Sequence, residues 1–247
     1  MFARQTNIVW VGFAVACKAI DQHEGKSHFQ TLVRLAKDWK AIVTEYCGHL
    51  VLAVCFAAFV VLNQGIVVGD RDNHVPVLHT SQMLHLWLVL ALYLPTSMKT
   101  VRSTARAFSA GATLILVSVI VMSLELGWFE HPFLLADNRH YTFYLWKYLF
   151  RPYRLHLLPA YLLSILYVSS AHSDALKYCV WVLCSAASLV PAHLVEPRYF
   201  IQPLCMYLLV FPGQTPSRTR VWVLLLLDLL LVCIFALKPY KDIHFMW

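Results

Sequence analysis

Three short stretches of this sequence hold most of the side chains suited to chemistry. Residues 134–147, "LLADNRHYTFYLWK", set Asp137, Arg139, His140 and Tyr141 almost side by side. Residues 69–74, "GDRDNH", carry Asp70, Arg71 and His74 behind Gly69, and residues 195–200, "VEPRYF", place Glu196 and Arg198 around Pro197. Guanidinium forks and an imidazole suit a phosphate. Carboxylates, amides and phenols suit sugar hydroxyls. Phe143, Tyr144 and Trp146 add the aromatic character of a membrane interface. Taken together, the three stretches suit a lipid-phosphate-linked sugar handled at one membrane face. Each also has a plainer account. "GDRDNH" reads as a helix C-cap followed by a solvated turn. The aromatics read as an interfacial belt, and Glu196–Arg198 as a self-satisfied surface pair of small energetic weight. Asp137, Arg139 and His140 are what these plainer accounts leave over.

The elements that must position these residues are set by composition. Of 247 residues, 60% are hydrophobic and 13% charged, and the mean hydropathy is +0.62. A soluble domain carries about 25% charged residues, so the chain reads as an all-α integral membrane protein, a single multi-spanning unit over residues 1–247. The net charge of +7 is scattered between apolar segments with no continuous basic face, which argues against nucleic acid as a partner. Seven cysteines without a CxxC pair, and twelve histidines without a recognised ligand spacing, indicate no disulfide framework and no metal site. Nothing calls for a cofactor.

Apolar runs long enough to cross the hydrocarbon, about 20 residues, fall at 47–68, 107–128, 178–195 and 221–237. Shorter ones at 82–98 and 155–170 complete a bundle. Residues 199–212, bounded by prolines, suggest a re-entrant or broken crossing. With these the chain has about seven membrane helices. Glu125 lies near a helix end and can reach the interface, whereas Asp228, in mid-span, is expected to be an internal packing contact. Residues 18–46 are basic, and "FQTLVRLAKDWKAIV" (29–43) reads as one amphipathic surface helix. The loop "KTVRSTAR" (99–106) is basic as well, so the positive-inside rule sets both in the cytoplasm. Helix alternation then carries 69–80, 129–154 and 194–200 to the opposite face, where the three polar stretches converge.

These stretches also carry a resemblance. "QTNIVW" (5–10), "NQGIVVGDRDNH" (63–74), "LLADNRHYTFYLWK", "PRYFIQP" (197–203) and "FMW" (245–247) resemble, in order, the endoplasmic-reticulum dolichyl-phosphate-glucose α-1,2-glucosyltransferase family. That family adds the third glucose to the lipid-linked oligosaccharide of N-glycosylation. The resemblance implies a multi-pass GT-C-type enzyme of the endoplasmic-reticulum membrane with its site on the lumenal side. It implies dolichyl-phosphate glucose as donor, a diglucosylated oligosaccharide on dolichyl diphosphate as acceptor, and the lipid bilayer as surroundings. Arg139 and His140 are the candidates for the donor phosphate, where they would stabilise charge on the leaving oxygen. Asp137 joins them as a catalytic candidate, holding sugar hydroxyls or orienting those cations. Asp70, Arg71, His74, Tyr141, Glu196 and Arg198 are the substrate-binding candidates.

Family members are nearly twice as long, and "RQTNIVW" falls near their middle, so the chain reads as the family's C-terminal half. On that reading "IVWVGFAVAC" (8–17) is part of a helix rather than a signal peptide. The acidic motif that GT-C enzymes carry in their first lumenal loop has no counterpart here, because no two acidic residues are adjacent. Activity of this chain alone is therefore in question. The rival expectation is a non-catalytic membrane protein that engages a partner through its helices.

Overall fold

The structure, a computed structural model, describes residues 6–67, 75–94, 98–135, 141–171, 174–211 and 218–237. Among the described residues there is no strand, and the regular structure is helical. The first four are α1 (Asn7–Gln22), α2 (His28–Lys37), α3 (Trp39–Glu45) and α4 (Cys47–Leu62). Next come α5 (Ser81–Tyr93), α6 (Met98–Ala107) and α7 (Ala110–Glu125). A 3₁₀ turn (Pro132–Leu135) leads to α8 (Tyr141–Leu145), a π turn (Trp146–Phe150) and α9 (Arg151–Tyr153). The chain closes with α10 (Leu158–Ser169), α11 (Ala175–Leu189), α12 (Pro197–Val210) and α13 (Arg218–Leu237).

Several starts follow from residue type. Ser27, Ser109 and Asp174 cap α2, α7 and α11 by accepting from the backbone N–H of Gln30, Ala112 and Lys177, the usual role of short oxygen-bearing side chains. Pro197 opens α12, where its missing N–H costs nothing.

The core forms around α5, which touches α7, α10, α11 and α12, while α1 lies along α11. Trp10, Phe13, Leu86, Leu90, Trp146, Trp181 and Tyr207 make one buried cluster. Leu84, Ile120, Leu124, Tyr161 and Ile165 make a second where α5, α7 and α10 meet. By contrast α4 has no buried residue, and α13 turns nearly all its described side chains outward.

No single described helix is long and apolar enough to cross a membrane; α3 and α4 meet that test only as a pair, bent by 77° at Tyr46. Four sequence expectations change. The expected helix over 29–43 is two helices, because Asp38 leaves the helical conformation and serves as C-cap of α2 and N-cap of α3. The basic segment 18–46 also begins inside α1 rather than after it. The described part of 199–212 is not broken, since α12 runs through Pro203 to Val210. Asp228 is exposed, not internal, and among the described residues no α13 side chain joins a buried cluster.

Candidate functional site

Asp70, Arg71, His74, Asp137, Arg139 and His140 lie outside the described residues, and so does the side chain of Tyr141, which begins α8. Residues 75–82, directly after "GDRDNH", are fastened to residues 190–194, directly before "VEPRYF". Val77 N–H donates to Pro191 O at 3.2 Å and His79 N–H to Val190 O at 2.9 Å. The Gln82 amide donates to Ala192 O at 3.0 Å and to Leu194 O at 2.9 Å. Ser81 N–H meets Gly127 O at 3.2 Å, which ties in the segment leading to residues 129–140.

His79 is the centre of this seam. Its Nδ1 lies 3.2 Å from Ala192 O and 3.1 Å from His193 O, and Phe129 N–H reaches its Nε2 at 3.4 Å. Carbonyls on one side and an N–H on the other fix the neutral Nδ1–H tautomer. Burial lowers its pKa to about 4, against the support of the two carbonyls. Beside it, His131 and His193 meet edge to face at 4.8 Å. Burial and the neighbouring His131 lower the pKa of His193. Among the described residues no three His, Cys, Asp or Glu side chains form a group that could hold a metal ion.

Glu130 clasps the two sides of the "LADNRHYTFY" stretch. Its Oε2 accepts from the Trp146 indole N–H at 2.7 Å and lies 3.4 Å from Arg151 Nε. Trp146 is itself buried and stacked on Trp128 at 5.0 Å. Nearby, Glu125 at the end of α7 pairs with Arg154 at 2.8 Å. Glu196 and Arg198 pair with each other, so the plainer account of that motif describes its geometry. Each of these three arginines has a carboxylate partner.

A cavity of about 100 Å³ lies beneath this end, lined by His85, Leu134, Thr142, Trp146, Pro197 and Phe200 among others. It lies between the helix that begins at Tyr141 and the helix that follows Glu196, so the two motifs share it. Its walls are mainly apolar, with Thr142 and His85 as exceptions; His85 Nδ1 is bonded to the Tyr161 hydroxyl at 3.2 Å, and its Nε2 has no hydrogen-bond partner among the described residues. The Gln202 amide donates to Asn7 Oδ1 at 2.8 Å, joining "PRYFIQP" to "QTNIVW" at the start of α1. A larger cleft of about 770 Å³ opens at the other ends of α1, α11 and α12, where Lys177 pairs with Asp21 and Asp174.

His79, Gln82, His85, Glu130, His131 and His193 were not singled out in the sequence. The available signal was position: all but His85 flank the motifs, as polar side chains in an otherwise apolar context. His85 lies inside an apolar run and offered no such signal.

Residues 1–209 match the sequence model of the DIE2/ALG10 family. The chain belongs to that family. A relative from Rattus norvegicus, named Dol-P-Glc:Glc(2)Man(9)GlcNAc(2)-PP-Dol alpha-1,2-glucosyltransferase, is 36% identical over 69% of this chain and 38% of its own length. Proteins of the same name from Mus musculus and Homo sapiens are 35% and 30% identical, each over 87% of this chain and 53% of their own. The chain thus spans about half the length of these DIE2/ALG10 relatives or less. No solved structure matches it.

Proposed function

We propose that the protein transfers glucose in α-1,2 linkage from dolichyl-phosphate glucose to the diglucosylated dolichyl-diphosphate oligosaccharide, the reaction in the names of its relatives. The observation that carries this reading is the fastening of residues 75–82 to 190–194 and of Asn7 to Gln202. These bonds gather the flanks of the family motifs at one end of the bundle. An apolar cavity beneath a polar rim suits a substrate whose phosphate is borne on a lipid. In this reading Arg139 and His140 hold the donor phosphate, with Asp137 beside them. Asp70, Arg71, His74, Tyr141, Glu196 and Arg198 would hold sugar or diphosphate around that centre.

The same reading sets the protein in the endoplasmic-reticulum membrane as a multi-spanning GT-C-type bundle, its polar end lumenal. Support comes from apolar side chains left outside the core: Val51 and Val54 on α4, Leu114, Ile115 and Val119 on α7, and Leu225, Leu226 and Leu229 on α13 are all exposed. A soluble fold rarely leaves so large an apolar surface to water.

The test uses microsomes from cells that lack the family's enzyme and express this protein, supplied with radiolabelled dolichyl-phosphate glucose. Label should enter the triglucosylated lipid oligosaccharide. Arg139→Lys keeps the charge but loses the planar fork. A charge-assisted hydrogen bond contributes about 1.5–3 kcal/mol, so transfer should fall about 10–150-fold at equal protein level. No transfer by the parent protein would overturn the assignment and favour a non-catalytic member. Full transfer by the lysine variant would remove Arg139 from the phosphate.

A further inference from the structure

We propose that α2 and α3 form an in-plane anchor that binds the anionic surface of the membrane, with Phe29, Leu32, Val33, Trp39 and Val43 turned into the lipid. The inference rests on the membrane placement proposed above. The five side chains recur at helical spacing (i, i+3, i+4 in α2 and i, i+4 in α3), and they are 74%, 50%, 49%, 55% and 42% exposed. A helix on a soluble surface turns such a stripe toward the core. Here the stripe faces away from the core. Thr31, two positions from both Phe29 and Val33 and so on the far side of α2, is buried. Its hydroxyl accepts from Gly25 N–H at 3.0 Å and donates to Ser27 O at 3.2 Å. Thr31 is the one buried residue of α2, and the apolar stripe of the helix faces outward.

Two further observations identify the occupant as lipid. First, α3 meets α4 at 77°, so if α4 crosses the bilayer, α3 runs nearly parallel to the surface. The exposed stripe then continues into the exposed face of α4 at Leu50, Val51 and Val54. Second, residues 26–40 carry Lys26, Arg34, Lys37 and Lys40 against Asp38 alone, four positive charges less one, net +3. A basic amphipathic helix of this kind binds where anionic headgroups overlie hydrocarbon.

The test is depth measurement on the full chain in vesicles of phosphatidylcholine, with and without phosphatidylserine. Single cysteines, introduced after the seven native ones are replaced, carry nitroxide labels. Phe29→Cys, Val33→Cys and Val43→Cys report the stripe, Lys37→Cys the basic side, and Val54→Cys on α4 the membrane placement itself. The expected result is oxygen-accessible, nickel-inaccessible labels at 29, 33, 43 and 54 and a water-accessible label at 37. Phosphatidylserine should deepen the stripe, and the combined change of Lys26, Lys37 and Lys40 to Gln should abolish that deepening. Hydrocarbon at 54 with water at 29, 33 and 43 would overturn the anchor and leave the membrane placement standing. Water at 54 as well would overturn both. Stripe labels shielded from oxygen and nickel alike would mean that protein covers the face, which also overturns the proposal. Equal depth in both vesicles would overturn its anionic selectivity.

Discussion

His79 is held by three backbone groups at once, and its protonation state is part of that grip. Neutral, it donates through Nδ1 toward Ala192 O and His193 O and accepts Phe129 N–H at Nε2. A second proton would face Phe129 N–H with another donor. Its folded pKa is about 4 against an ordinary 6.5. Between those values the unfolded chain binds a proton that the folded chain refuses, so stability rises with pH there. The contribution is complete above pH 6.5 and is lost as pH falls toward 4, in total on the order of 3 kcal/mol. Denaturant unfolding in detergent should therefore show a steep loss of stability over that window, and His79→Asn should flatten it; an unchanged slope would mean that His79 is not the group responsible. Glu130 makes a complementary case. Glu130→Ala strands the indole N–H of Trp146, which is 1% exposed, and an unsatisfied buried donor costs about 1–3 kcal/mol. Glu130→Gln keeps an acceptor and loses only the partly exposed pair with Arg151, worth little. The thermal midpoint should drop clearly for alanine and barely for glutamine. Equal losses would make the ion pair, not the indole bond, the clasp.

At the scale of elements, the junction of α7 with α5 depends on Gly127. A Cβ there would lie 1.8 Å from Thr80 Oγ1 and 3.0 Å from Thr80 N, so Gly127→Ala must displace Thr80 at the start of α5 and strain the adjacent Ser81–Gly127 bond. Overpacking of this kind costs about 1–3 kcal/mol. Thr80→Ala should restore part of the loss, since it removes the closest atom but not the backbone nitrogen; no rescue at all would locate the strain elsewhere. This junction was not legible in the sequence, where Gly127 is one more small residue in an apolar run. The helices themselves were legible, because long apolar segments have few other ways to satisfy their backbone. Their ends were less so. The run 47–68 stops being helical at Leu62, where Asn63 turns its amide onto Gly65 O and Val67 O and Gln64 takes φ 54°. The run 178–195 stops at Leu189: Val190 still has helical angles, but Pro191 has no N–H with which to continue the helical ladder. The motifs were legible by their density of polar groups, and the seam that gathers their flanks was not. That seam is made largely from carbonyls and amides, which every residue carries.

For the whole molecule, the arrangement makes a statement about sides. Residues 75–82, 127–131 and 190–196 meet at one end of the bundle, while the Gly25–Ser27 turn and the start of α11 meet at the other. The basic helix α6 connects the far end of α5 to the start of α7. If the bundle crosses the membrane, the first group shares one compartment, and α6 with the α1–α2 turn shares the opposite one. The positive-inside rule makes the second compartment cytoplasmic. Positive charge at the first end is locally offset, since Arg151, Arg154 and Arg198 have Glu130, Glu125 and Glu196 beside them. Arg102 and Arg106 on α6 are exposed. Single cysteines at Val75, Pro132 and Ala192 should therefore react with impermeant maleimide only when sealed microsomes are opened, whereas cysteines at Lys26 and Arg102 should react in intact ones. The geometry makes this a sharp test. Val77 and His79 are hydrogen-bonded to Val190 and Pro191, and Ser81 to Gly127, so the first three labels cannot be divided between compartments without breaking the seam. Divided labelling would show that these helices do not cross as one bundle, and the convergence of the motifs would fail with it. Reaction of all five in intact microsomes would remove the membrane from between the two ends. Labelling as expected would leave Asp137, Arg139 and His140, whose flanking segments are both tied to Glu130, on the side where a lumenal lipid-linked sugar is met.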